Sequence, residues 1–290
     1  MTLMNCTTVA DLRQTLSSYW KTQSTIGLVP TMGALHEGHL SLVRRARQEN
    51  QLVAVSIFVN PTQFGPSEDF ARYPRTLEQD LDVLASAGVD LVFMPAAEEM
   101  YPPGFASRVE VGRLATILEG ARRPEHFAGV ATVVTKLLNL VRPTRAYFGQ
   151  KDAQQAAVIR RLVADLNVPV EIQVGETVRD ADGMALSSRN RYLSPSEREA
   201  ATVLYRALTS ARAAYQSGAL DVDLLCRTMR EIVDAEPLAR LDYAEVVDSL
   251  SWEKPAAARP DSLLVIAASV GRTRLIDNLL LCEAEGSTGK

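Results

Sequence analysis

The sequence predicts an α/β protein in two parts: a parallel sheet with covering helices over residues 1–177, and a smaller α+β domain over residues 178–290. Three observations predict it. Short apolar runs that do not alternate with polar residues read as strands buried on both faces. Segments with apolar residues at helical spacing lie between those runs. Near residue 177 the rhythm stops, and a helix-capping pattern opens a different region.

The first run, Ile26-Gly27-Leu28-Val29, is a buried strand, and Leu40, Leu42, Val43 and Ala46 recur at helical spacing after it, with Arg44, Arg45 and Arg47 between them. Residues 52–59 form the second strand, which Asn60-Pro61 ends because proline brings no N–H to a ladder. Residues 76–87 make a helix stopped by Gly88, and residues 91–95 a third strand. An apolar helix over 127–140, a fourth strand over 145–149, a helix over 152–165 and a fifth strand over 170–174 complete the alternation. This is a Rossmann-like rhythm, and in such open sheets ligands bind beyond the carboxyl ends of the strands. Those ends are residues 30–39, 60–63, 149–155 and the segment from Val178 onward.

In the second part, Ser194 is placed as N-cap, Pro195 at the first helical position and Glu197 three residues on. This capping box opens an alanine-rich helix of about twenty residues. A second helix over 221–235 and alternating strands over 241–247 and 263–269 follow, and the small polar residues 283–290 are expected to fray.

With 47% hydrophobic and 23% charged residues the chain has the composition of a soluble globular protein, and a net charge of −4 argues against a nucleic-acid-binding surface. No apolar run approaches the roughly 20 residues that span a bilayer, and residues 1–8 lack the basic-then-apolar build of a signal peptide. Three cysteines without regular spacing agree with a reducing compartment. A cytoplasmic protein without membrane or nucleic-acid partners is expected.

The densest chemistry lies in Pro30-Thr31-Met32-Gly33-Ala34-Leu35-His36-Glu37-Gly38-His39, where two of only three histidines stand three residues apart at a helix start. Free N–H groups and the positive end of the helix dipole attract anions there, and histidines add donors for charge developing on a transferred phosphoryl group. A structural zinc site wants four ligands, whereas only His126 and the scattered Cys6, Cys226 and Cys282 remain.

PTMGALHEGHLSL at 30–42 resembles the HIGH-type signature of the nucleotidyltransferase superfamily. Five more strings follow in order: SIFVNPTQF at 56–64, ARYPRTLEQD at 71–80, LEGARRPEHFAGVATVV at 118–134, YFGQKDAQQ at 147–155 and ALSSRNRYLS at 185–194. Together they are similar to the pantothenate synthetase family, which joins pantoate to β-alanine with ATP. The resemblance implies that Met32, Gly33, Ala34, Leu35, His36, Glu37, Gly38 and His39, with Gly149, Gln150, Lys151 and Asp152, bind ATP. It implies further that Val178, Leu186, Ser187, Ser188 and Arg189 close over the nucleotide from the second domain, the LSSR segment acting as a mobile phosphate-gripping loop. His39 is the implied proton donor, and Gln63 and Gln155 the pantoate ligands, with Gln63 also near incoming β-alanine. Asn60 would hold the turn leading to Gln63, and Arg123 and His126 the wall of the pantoate cavity. A homodimer through the N-terminal domains is implied as well. Two positions depart from the family pattern: Gln150 stands where an acidic residue is expected, and Ala153 where a larger side chain is usual.

The chemistry agrees with that resemblance. A carboxylate must become a mixed anhydride, most simply an acyl-adenylate, before an amine attacks it. Pyrophosphate departure calls for donors and cations, which His36, His39, Lys151, Ser187, Ser188 and Arg189 supply. A small hydroxylated acid calls for neutral donors such as Gln63 and Gln155. Magnesium would bridge the phosphates with few protein ligands, Asp80 or Asp152 being the candidates. An adenylyltransferase acting on a phosphate would instead place arginine or lysine where the glutamines stand. A nucleotide-binding regulator without turnover would not need every one of these groups.

Overall fold

A computed structural model describes residues 3–66 and 68–282. The chain divides into two compact units between Glu176 and Thr177. The first unit runs β1 (Met4–Cys6), α1 (Val9–Lys21), β2 (Ile26–Thr31), α2 (Glu37–Glu49), β3 (Leu52–Ile57), α3 (Leu77–Ser86), β4 (Leu91–Phe93), α4 (Ala97–Met100), α5 (Glu119–Arg122), α6 (His126–Val141), β5 (Arg145–Gly149), α7 (Ala153–Asp165) and β6 (Glu171–Gly175). Its six strands stand in the order β1-β4-β3-β2-β5-β6, every pairing parallel. From β2 the chain winds outward through β3 to β4, then returns to β5 on the other side of β2. The winding reverses between β2 and β5, and the carboxyl ends of those two strands therefore flank the crevice where open sheets bind ligands.

The apolar runs are explained by packing on both faces. Leu28 belongs to the cluster with Leu12, Leu16, Leu52, Leu137 and Ile159, whereas its neighbour Val29 belongs to the one with Val43, Val53, Leu84, Val92 and Tyr147. Two elements precede the first predicted strand. Thr8 caps α1 by accepting from the Asp11 N–H at 3.1 Å, and Leu12 and Leu16 are fully buried. The three-residue β1 is too short to stand out by pattern, and pairs with β4 at the sheet edge.

The second unit holds α8 (Pro195–Ala200), α9 (Val203–Gln216), α10 (Val222–Asp234), β7 (Ala239–Asp248), β8 (Ser262–Val270) and β9 (Thr273–Leu280). The strands form an antiparallel sheet in the order β7-β8-β9, and Leu204, Leu208, Leu225 and Met229 of the helices share a core with Val246, Leu264 and Ile266. The expected α/β class with a smaller α+β unit is thus observed. The capping box at Ser194 forms, but the predicted long helix is two. Thr202 turns its hydroxyl back to the Glu199 carbonyl at 2.8 Å and its N–H to the same oxygen at 3.2 Å, and such back-bonding by threonine bends a helix. Strand β9 is an element that the sequence pattern does not predict. Among the described residues no helix is long and apolar enough to cross a membrane; the frayed end expected over 283–290 lies outside them.

Candidate active site

The loop leaving β2 is pinned before it reaches the histidines. The Thr31 hydroxyl donates to the Ser56 carbonyl at 2.8 Å and accepts from the Gly33 N–H at 3.2 Å. Gly33 and Ala34 both have positive φ, 81° and 51°, and for alanine that conformation costs roughly 1–2 kcal/mol. Asp80, at the start of α3, offsets the cost: Oδ2 accepts from the Ala34 N–H at 2.8 Å and Oδ1 from the Leu35 N–H at 2.9 Å and the Thr76 hydroxyl at 3.2 Å. Bonds of this charged kind contribute about 1.5–3 kcal/mol each. Asp80, expected as a magnesium ligand, is thus a buried carboxylate whose two oxygens both accept hydrogen bonds, two of them from the loop.

The histidines then cap α2 for each other. His36 Nδ1 accepts from the Gly38 N–H at 3.2 Å, His39 Nδ1 accepts from the His36 N–H at 3.3 Å, and the two rings lie 4.1 Å apart. A neutral ring that accepts at Nδ1 carries its hydrogen on Nε2. Both histidines are therefore assigned as Nε2–H tautomers from the hydrogen-bond pattern. Burial, the neighbouring His36 and the charge of Lys151 hold His39 down to a pKa of about 3. In the free protein it is therefore a neutral donor. An anion favours the protonated ring, so a triphosphate would raise that value from this low start.

At the end of β3, Asn60 caps the single turn over Pro61–Gln63. Its Oδ1 accepts from the Tyr101 hydroxyl at 2.7 Å and the Thr62 hydroxyl at 2.9 Å, while Nδ2 donates to Gln63 Oε1 at 3.0 Å and the Gly129 carbonyl at 3.2 Å. The polarity of the buried Gln63 amide is thereby fixed. Among the described residues its Nε2 meets only the weak acceptor Met32 Sδ, at 3.3 Å, and retains a hydrogen for a better one. Helix α6 meets this turn through Gly129, where a Cβ would sit 2.4 Å from the Thr62 carbonyl oxygen.

The Gln63 carbonyl is held as well. His126 Nδ1 donates to it at 2.9 Å, Arg123 donates to it at 3.4 Å and to His126 Nε2 at 3.1 Å, and Glu68 grips the Arg123 guanidinium with both oxygens. Burial first, then the Arg123 charge, lowers the His126 pKa to about 4, which keeps the ring neutral and able to accept from Arg123. Arg123 and His126 thus bear on Gln63 through its backbone. Glu68 and Tyr101 carry no motif that marks them in the sequence.

Beyond β5, Lys151 and Asp152 approach to 3.6 Å, and the Lys151 charge is felt at His39. The two neighbouring glutamines divide. Gln154 is buried with its amide spent on the Glu119 N–H and the Leu114 and Ile117 carbonyls, whereas Gln155 makes no side-chain hydrogen bond among the described residues. Glu37 pairs with Arg44. In the second unit Val178 and Leu186, eight positions apart, are joined by a bond from the Leu186 N–H to the Val178 carbonyl at 2.9 Å, and Ser187 Oγ caps the following turn by accepting from the Arg189 N–H at 3.3 Å. No cluster of three or more metal-ligating side chains occurs among the described residues.

Comparison with known proteins adds the family. The family described as "Pantoate-beta-alanine ligase" matches residues 4–280. The chain belongs to that family. It is 56% identical over 275 residues to the pantothenate synthetase of Roseiflexus sp. (strain RS-1), covering 95% of this chain and 98% of that one. The pantothenate synthetase structure from Thermus thermophilus superposes with a TM-score of 0.92 at 50% identity, covering 97% of this chain and 100% of that one. The pantoate-β-alanine ligase from Francisella tularensis, complexed with β-γ ATP and β-alanine, gives 0.80 at 37% identity, covering 97% and 98%.

Proposed function

We propose that this chain is an ATP-dependent ligase that condenses pantoate with β-alanine through a pantoyl-adenylate. A pantoate carboxylate oxygen attacks the α-phosphorus of ATP and pyrophosphate leaves. The amine of β-alanine then attacks the acyl carbon, AMP leaves, and the amine proton passes to solvent. The observation that carries the substrate assignment is the fixed amide of Gln63, which offers a donor without charge at the end of β3. Gln155, unspent at the start of α7, is the second such group. The Francisella tularensis relative, complexed with β-γ ATP, supports the nucleotide assignment.

In this reading the loop from Met32 to His39 and the segment Gly149–Asp152 serve ATP, and Val178 and Leu186–Arg189 of the second unit serve it too. His36 and His39 offer Nε2–H groups to phosphoryl oxygens, and Lys151, Ser187, Ser188 and Arg189 add charge and donors. Magnesium would arrive with ATP and neutralise its phosphates, with Asp152 as the carboxylate to meet it. Gln150 leaves the nucleotide loop one negative charge fewer than the family pattern. The proposal extends to a cytoplasmic homodimer through the first units, which light scattering of the purified protein tests.

Mixing the protein with ATP, magnesium, pantoate and β-alanine and analysing the products is the direct test. AMP and pyrophosphate in equal amounts with pantothenate are expected. ADP and phosphate would mean an acyl phosphate route, and turnover with a phosphate acceptor in place of pantoate would mean an adenylyltransferase.

A further inference from the structure

The segment before Leu186 is a small hairpin, fastened at both ends inside the second unit. Arg179 and Ala185 pair across it, and its turn is closed by bonds between Asp180 and Met184 and from the Gly183 N–H to the Asp180 carbonyl at 2.9 Å. At the tip, Arg198 of α8 holds Asp180 at 2.7 Å and Asp182 at 2.8 Å, in a partly exposed arrangement. At the root, Arg179 makes a two-pronged pair with Asp277 of β9, at 2.6 and 2.9 Å, and the Asp277 side chain is only 3% exposed. Nη1 and Nη2 of Arg179 also donate to the Gly183 carbonyl at 3.0 Å and the Asn278 carbonyl at 3.2 Å, and its guanidinium lies 4.4 Å from the centre of the Tyr205 ring. Gly183 rests against the same ring, where a Cβ would come within 1.9 Å.

We infer that the Arg179–Asp277 pair is a positioning device that sets where Val178 and the Leu186–Arg189 segment stand for the nucleotide. The inference rests on the proposed function and deepens it. Arg179 adjoins Val178 in sequence and lies across from Ala185, so the root of the hairpin is the point from which both nucleotide-directed positions leave. The Asn190 side chain ties the far end of the segment back to the Ala185 carbonyl at 3.0 Å, making the segment one body with the root. A buried pair that loses one partner leaves an uncompensated charge, which moves its surroundings, whereas a partly exposed pair is screened and contributes little. The two fasteners therefore differ in consequence: the root decides position and the tip does not.

Asp277→Asn, Arg179→Lys and Arg198→Met, each checked by thermal unfolding, test this against steady-state KM values for ATP and for pantoate. In the two root variants the KM for ATP is expected to rise roughly fivefold or more, with the KM for pantoate within about twofold, because misplacing a positioned group is costly even when chemistry is untouched. Arg198→Met should leave both constants within about twofold. If Arg179→Lys does not fold, the isosteric Asp277→Asn carries the test. An unchanged KM for ATP in folded Asp277→Asn, or equal rises for both substrates, overturns the inference. Arg189→Ala run alongside separates the two ideas. No effect on ATP handling there removes the nucleotide assignment of the segment and the inference with it, while a loss there with none in Asp277→Asn overturns the positioning role alone.

Discussion

His39 divides its two nitrogens between structure and chemistry: Nδ1 closes the start of α2 on the His36 N–H, and in the proposed function Nε2–H is the donor for a phosphoryl oxygen. His39→Ala is expected to lower the adenylation rate by roughly 10²–10³, the usual loss for one preorganised donor, with a much smaller change in ATP affinity. Equal losses in both, read from single-turnover kinetics, would make it a ground-state ligand only. Because the free ring has a pKa of about 3, the pH profile of kcat/KM for ATP should show no His39 break near 6.5. A break there that disappears in His39→Ala would contradict the neutral assignment. Gly38 tests the same geometry from outside the ring. A Cβ at Gly38 would stand 3.0 Å from His36 Cε1 and Nδ1 and tilt that imidazole, while alanine gains up to about 1 kcal/mol of helix propensity. Gly38→Ala should therefore unfold at the same temperature or higher yet adenylate about tenfold more slowly.

Two elements meet at Gln63, the turn over Pro61–Gln63 and the start of α6, and the Glu68–Arg123–His126 chain is what holds them in register. Arg123→Lys keeps the charge but cannot grip Glu68 with two donors while also reaching His126 and Gln63. The KM for pantoate should rise about tenfold, with ATP–pyrophosphate exchange at saturating pantoate little changed. A matching rise in the KM for ATP would show that the chain supports the whole crevice. These elements also show what the sequence made legible. Strands β2, β3 and β5 are apolar on both faces and their exits carry glycine, proline and histidine, so the segments around the crevice could be read directly. Gln63 and Asn60 lie in the short turn after β3, at one of those exits. Glu68, Tyr101 and Asp277 could not be read, because their partners are 55, 41 and 98 positions away and only the fold brings them together. Asp80 is the opposite case. Its position was visible, but its role depends on two N–H groups that point at it only because Ala34 adopts a left-handed conformation. Strand β9 alternates weakly, and its polar Asp277 and Asn278 are both buried, which hides the pattern that marks a strand.

For the molecule as a whole, two histidines that stay neutral link folding to pH in one direction. The pKa values of His126 and His39 are lowered to about 4 and about 3, so below pH 6.5 the unfolded chain binds protons that the folded chain refuses. Their contribution is fully present above pH 6.5 and is lost as pH falls towards those values, at up to ~1.4 kcal/mol per pH unit for each. Carboxylates whose pKa values are lowered by hydrogen bonds, such as Asp182 with Arg198, act in the same direction but at lower pH, below about 4.5. The interval from pH 6.5 to 4.5 therefore isolates the histidines. His126→Asn retains an amide N–H in the place of Nδ1 for the Gln63 carbonyl and removes the titration. Urea unfolding across that interval should show stability falling with acid in the parent chain and falling less steeply in His126→Asn, the two curves converging as pH drops. Parallel slopes would show that His126 titrates alike in the folded and unfolded chains. The neutral ring accepting from Arg123, on which the support of Gln63 depends, would then be wrong.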